Sequence, residues 1–136
     1  MGYQVMNKIE MEPSGLSETY FHTMMRLMGE NRDIMELEAD LGVCILGGGY
    51  KEMEQTYPKQ LFNCGIQEAN MVGVACGLSA AGKIPFAHTF APFMTRRACD
   101  QIFMSAAYAK MNVKLVGSDP GITAQLNGGT HMPFED

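Results

Sequence analysis

Across residues 61–95 the formally charged side chains are Glu68 and Lys83 alone. A lone carboxyl in so apolar a stretch has two physical readings, and the residue pattern leaves both open. Glu68 can be a first-turn helix acid held by the positive end of the macrodipole. It can equally be a carboxyl in a poorly solvated pocket, able to hold or share a proton. Phe90 and Phe93, three residues apart, either pack in a core or clamp a flat ring. Cys44, Cys64, Cys76 and Cys99 form no CxxC pair and have no His at zinc spacing, so they read as reduced, buried thiols. Gly47-Gly48-Gly49 lacks a following GK[ST], which makes it a poor phosphate loop. No metal site is expected.

Placing these residues requires the elements around them. Ser17 reads as the N-cap of a helix over 18–30, with Tyr20, Phe21, Met24, Met25 and Met28 at helical spacing. Residues 34–40 read as a strand, with Ile34 and Leu37 as its apolar contributors. Gly42–Leu46 would also pass as a strand on β-branched content. After a short apolar segment, Leu61–Cys64, residues 66–81 form a small-residue helix that carries Glu68 near its start and stops at Gly82. Ile84–His88 reads as a buried strand, Pro92–Lys110 as one long helix, and Val113–Val116 as a short strand leading to a Gly-rich loop that reaches Thr130. Strands alternating with such helices predict an α/β fold, a parallel sheet flanked by helices on both faces. Sites in such sheets lie beyond the strands' carboxyl ends, which gathers the loops after Asp40, Cys64, His88 and Val116.

Composition narrows the function classes. The 136 residues suit one domain. Ten basic against fifteen acidic residues give a net charge of −5, with no basic run, so nucleic-acid binding is not expected. A 46% hydrophobic content excludes a disordered chain. Gly and polar residues interrupt every apolar run, so no membrane partner is expected. The opening MGYQVMNKIEMEPSG has no apolar signal core, and a cytoplasmic location is expected. The thirteen Met read as adaptable core filler.

FNCGIQEANMVGVACGLSAAGKIPFAHTF resembles the signature of the pyrimidine-binding domain of transketolases, the thiamine-diphosphate enzymes. The likeness rests on Gly65-Ile66-x-Glu68-x-Asn70-Met71, the small-residue helix, and Thr89-Phe90-x-x-Phe93. It extends to DIMELEADL upstream and to AAYAKMNVKLVGSDPGI and GGTHMPFED downstream. The nearest likeness is to two-gene transketolases, in which this domain begins the second, C-terminal polypeptide. The resemblance implies that Glu68 hydrogen-bonds the cofactor's aminopyrimidine and makes its exocyclic nitrogen basic. It implies that Phe90 and Phe93 pack on the pyrimidine, that Asp40 is an acid close to the cofactor, and that His131 binds the donor sugar and assists proton transfer. The activity implied is transfer of a two-carbon ketol unit between sugar phosphates. A 1-deoxyxylulose-5-phosphate synthase, a 2-oxoacid dehydrogenase beta chain and a non-catalytic partner subunit are the rival expectations.

The departures fall on substrate positions. Cys44 stands where many transketolases place a Ser for the sugar phosphate, Ser118 where they have His, and Asn127 where they have an acid that contacts donor hydroxyls. Arg96 replaces a frequent third aromatic, as a phosphate contact or an exposed helical Arg. The family's Gly-Asp-Gly followed by Asn-Asn, which carries magnesium and diphosphate, does not occur. An N-terminal partner subunit is therefore expected to hold the Mg2+, in a dimer or heterotetramer with cofactor at each interface. The family continues past Phe134-Glu135-Asp136, so residues 1–136 are expected to be a truncated pyrimidine-binding domain, without its remaining strands and C-terminal domain.

Overall fold

A computed structural model describes residues 15–134; residues 1–14, all but the last of the opening stretch read for a leader, and Glu135-Asp136 lie outside them. Four strands form one parallel sheet in the order β2-β1-β3-β4: β1 Ile34–Glu38, β2 Leu61–Asn63, β3 Ile84–Phe90 and β4 Lys114–Ser118. Helices α1 Leu16–Glu30, α2 Gly42–Leu46 and α3 Gly49–Thr56 cover one face. Helix α4 Glu68–Ala80 and the helical stretch after β3 cover the other. The expected α/β architecture is present.

Alternation along β1 divides two cores. Met35, Leu37 and Ala39 point to α4, where they meet Met71, Val72, Ala75 and Ala87. Ile34 faces the opposite side, among Phe21, Met24, Met28, Ile45 and Met53. Met24, Met28, Met53 and Met71 are almost fully buried, in keeping with their reading as core filler. The thiols differ from expectation. Cys76 is buried and Cys64 half-buried, but Cys44 and Cys99 are exposed because both lie on outward helical faces.

Three local expectations need correction. Ser17 is not the cap of α1: the helix starts at Leu16 with Gly15 as N-cap, and Ser17 falls inside the first turn. Gly42–Leu46 is a helix, although Val43 and Ile45 favour a strand. The buried Glu38 carboxylate decides this, because its Oε2 accepts the Leu41 and Gly42 N–H groups at 2.6 and 2.8 Å and satisfies the new helix end. Pro92–Lys110 is not one α-helix. It comprises a π-helical turn Phe93–Arg97, a short α5 Cys99–Gln101 and a π-helical segment Ile102–Tyr108. Thr95 donates its hydroxyl to the Ala91 carbonyl at 2.9 Å, and such back-bonding loosens the i→i+4 ladder at the turn. Strand β3 also runs two residues further than expected, which makes Phe90 its last residue.

Two acids are buried in β1. Glu36 is fully buried between α1 and the sheet: Tyr20 donates its hydroxyl to Oε2 at 2.7 Å, and His88 Nδ1 lies 3.4 Å from Oε1. Burial pushes the Glu36 carboxyl above the ordinary 4.5, against the opposing pull of His88 and Tyr20. Burial, reinforced by Glu36, also raises the Tyr20 phenol well above its usual value.

A group whose folded value is raised favours the fold below its unfolded value, and that contribution is lost as pH rises through the folded one. Glu36→Gln keeps an acceptor for Tyr20 but never ionises. Its apparent Tm should match the parent below pH 4.5 and exceed it by a few degrees near neutral pH; a difference independent of pH would contradict the assignment. At Gly117 a Cβ would come within 2.9 Å of the Ala91 backbone, beside Phe90. Gly117→Ala should therefore cost about 1–3 kcal/mol in a denaturant melt; an unchanged midpoint would refute the close approach.

Candidate active site

The carboxyl ends of the strands bring the predicted loops to one rim. Loops after β1 and β2 are tied by the Asn63 side chain, which donates to Asp40 Oδ1 at 2.9 Å, and by the Cys64 N–H, which donates to the Glu38 carbonyl at 2.8 Å. Asp40 has a left-handed φ of 61°, a conformation short polar residues tolerate. Tyr50 donates to Glu38 Oε1 at 3.1 Å, and burial beside Glu38 pushes its phenol up to about 12. Burial and the same carboxylate raise the Cys64 thiol. Strands β3 and β4 end level, with Phe90 opposite Ser118.

An aromatic group stands on the β3 side of the rim. Phe90 closes the strand, and Pro92, with φ −66°, turns the chain so that Phe93 opens the π-helical turn. The Phe90 and Phe93 rings meet edge-on with centroids 5.9 Å apart. His131 packs against both, at 5.7 and 5.0 Å. Its loop is held by the Arg96 guanidinium, which donates to the Thr130 carbonyl at 3.2 Å.

Glu68 is the first residue of α4 and is 1% exposed. A hydrogen bond from the Gln67 side chain to the Cys64 carbonyl, and Gly65 at φ +77°, make the tight entry that turns it inward. Glu68 is thus both a first-turn acid of α4, at the positive end of the helix dipole, and a carboxyl withdrawn from solvent. Arg97 Nη1 donates to Oε1 at 2.7 Å. Oε2 is buried without a hydrogen-bond partner. The Arg97 guanidinium carbon also lies 4.1 Å from the Phe93 ring centroid, a cation–π contact that joins the carboxyl to the aromatic group.

The candidate residues are thus only partly assembled. Glu68, Phe90, Phe93 and His131 form one linked cluster through Arg97, and Arg96 anchors its edge. Ser118 borders it, its hydroxyl donating to the Thr89 carbonyl at 3.4 Å. Asp40 sits on the β1–β2 side of the rim with Asn63. Cys44 is exposed on α2, and Asn127 is exposed in the 3-10 turn Gln125–Asn127; no hydrogen bond or ion pair links either side chain to the cluster among the described residues. Among those residues no group of three His, Cys, Asp or Glu is placed to hold a metal ion, and no helix is long and apolar enough to cross a membrane.

Sequence reading missed Arg97, Glu36 and Glu38. Arg97 follows Phe93 by four residues, a spacing that shares a helical face. The two acids stand at alternate positions of Met35-Glu36-Leu37-Glu38-Ala39, which assigns both to one face of the strand.

Residues 15–136 match the family described as "Transketolase, pyrimidine binding domain". Over 129 residues the chain is 47% identical to a 6-deoxy-6-sulfo-D-fructose transketolase subunit of Clostridium sp., covering 95% of this chain and 39% of that protein. It is 32% identical over 120 residues to an apulose-4-phosphate transketolase subunit of Phocaeicola vulgatus, covering 88% of this chain and 37% of the relative. A solved split-gene transketolase, described as an inactive beta4 tetramer, superposes with a TM-score of 0.72 at 39% identity, over 87% of this chain and 36% of that one. The transketolase of Leishmania mexicana, 24% identical with a TM-score of 0.75 over 86% of this chain and 18% of that one, shares the fold. The chain spans about two-fifths of the length of these two curated relatives. It belongs to the transketolase family, within the pyrimidine-binding domain.

Proposed function

We propose that this chain supplies the pyrimidine-seating part of a thiamine-diphosphate transketolase that moves a two-carbon ketol unit between sugar phosphates or related anionic sugars. The observation that carries the reading is Glu68: a carboxyl buried at a helix N-terminus, bearing one unpartnered oxygen and linked through Arg97 to an aromatic pair. An orphaned buried acceptor is costly unless something completes it, and a ring nitrogen of an aminopyrimidine is a fitting partner. When bound, the cofactor supplies a nucleophilic thiazolium carbon able to attack a ketose carbonyl.

The chain's own residues bind and orient. Glu68 holds the hydrogen bond to the ring nitrogen and keeps the exocyclic amine basic. Phe90 and Phe93 seat the ring and exclude water. His131, edge-on to both rings, presents an imidazole at the mouth, where it meets the donor sugar and assists proton transfer. Asp40, Cys44, Ser118 and Asn127 are rim groups for the remainder of cofactor and substrate, and Arg96 offers a cation to an anionic terminus. Diphosphate and Mg2+ fall to an N-terminal partner subunit in a cytoplasmic heterotetramer. The relatives' names, one a sulfonated ketose and one a ketose phosphate, favour a substrate with a terminal anion over an unsubstituted sugar.

The test is co-expression of the full-length gene with its partner subunit, followed by ketol-transfer assays over ketose phosphates and 6-deoxy-6-sulfo-D-fructose. Turnover of at least one anionic donor, dependent on thiamine diphosphate, is expected; bound cofactor without turnover on any donor would overturn the enzyme reading. Glu68→Ala should lower kcat by at least about 10²-fold with cofactor still bound. A near-parental rate would remove Glu68 from its role.

A further inference from the structure

Within the chain Arg97 contacts both groups that would flank an aminopyrimidine: the Glu68 carboxyl, through Oε1 rather than the unpartnered Oε2, and the Phe93 ring. Its guanidinium carbon lies over the Phe93 ring, 4.1 Å from the centroid, while Nη1 donates at 2.7 Å to Glu68 Oε1. It also lines two clefts at once. One, of about 480 Å3, holds Glu68 and Asn70; the other, of about 350 Å3, holds Phe93 and Thr130. Arg97 is the one lining residue the two clefts share. It is 47% exposed, whereas Glu68 is buried, so the arginine is the partner with room to move.

We propose that Arg97 is a placeholder for the cofactor's aminopyrimidine, holding Glu68 and Phe93 in the unloaded enzyme and swinging outward on loading, which merges the two clefts. This inference rests on the function proposed above. Its physical basis is the cost of an uncompensated buried carboxylate, which Arg97 removes while the seat is vacant. The consequence appears on loading, because a charge-assisted hydrogen bond and a cation–π contact must be given up. Arg97 then lowers apparent cofactor affinity in the manner of any competing closed state. It is a positioning residue, and it sets how readily cofactor is gained and lost.

Calorimetric titration of thiamine diphosphate with Mg2+ into the assembled two-subunit enzyme tests this, using the parent, Arg97→Leu and Arg97→Lys. Arg97→Leu is expected to bind about tenfold more tightly, about 1.4 kcal/mol, and Arg97→Lys, which keeps the charge but not the guanidinium, to fall between it and the parent. The unloaded Arg97→Leu enzyme should melt earlier than the unloaded parent, and the two loaded enzymes should melt together. A merely structural arginine would weaken binding when removed, so equal or weaker binding by Arg97→Leu overturns the placeholder. Should Arg97→Leu fail to assemble, Arg97→Lys decides: tighter binding than the parent supports the proposal, and equal or weaker binding overturns it. Parent enzyme that binds no thiamine diphosphate overturns the proposed function, and this inference with it.

Discussion

A carboxyl with almost no access to water must be either compensated or protonated, and at Glu68 this constraint falls on the rim of the sheet. Its burial follows from the first turn of α4, which Gly65 and Gln67 aim into the rim of the sheet. Its compensation comes from the helix dipole and from Arg97, 29 residues away in sequence. That pairing ties α4 to the π-helical turn after β3, which carries Phe93. Through Phe93 it fixes the ring of Phe90 and the loop of His131. A half-exposed ion pair adds little to global stability. Its value here is geometric, because it holds three elements of the chain in register around one oxygen.

The opposite side of the rim solves a similar problem with a different device. Glu38 is also buried, but it is satisfied by two backbone N–H groups and a tyrosine hydroxyl rather than by a cation. Such saturation is structural: the carboxylate ends β1, starts α2 and holds Tyr50 against Gly42, where a Cβ would strike the ring. Glu68 keeps one oxygen unpartnered, whereas Glu38 has a partner at both. Glu36 also keeps one oxygen without a hydrogen-bond partner, but it lies between α1 and the sheet, whereas Glu68 lines a cleft at the rim.

Much of this is legible in the residues because local and tertiary forces agree there. The alternation of β1, the small-residue face of α4 closed by Gly82 at φ +84°, and the buried β3 each state one preference, and the parallel sheet follows from their order. Glu68 and the two phenylalanines stand out by type and spacing. Gly42–Leu46 misleads because its β-branched residues obey a strand rule that Glu38, four residues upstream of Gly42, overrides by capping a helix. The stretch after Pro92 misleads because nothing in its spacing announces a π turn; that depends on the Thr95 hydroxyl and on packing against α4. Arg97 escapes notice because an arginine on a helix is ordinarily a solvated charge. Its partner is identified only when the fold closes the distance.

The central claim is that Glu68 acts through a hydrogen bond to the cofactor's aminopyrimidine rather than by shaping the pocket. The most direct measurement is the rate of deuterium exchange at the thiazolium carbon of thiamine diphosphate bound to the assembled enzyme, without sugar, for the parent and for Glu68→Gln. Slowing by at least about 10²-fold is predicted for Glu68→Gln at full cofactor occupancy. Equal exchange rates at equal occupancy would contradict the claim.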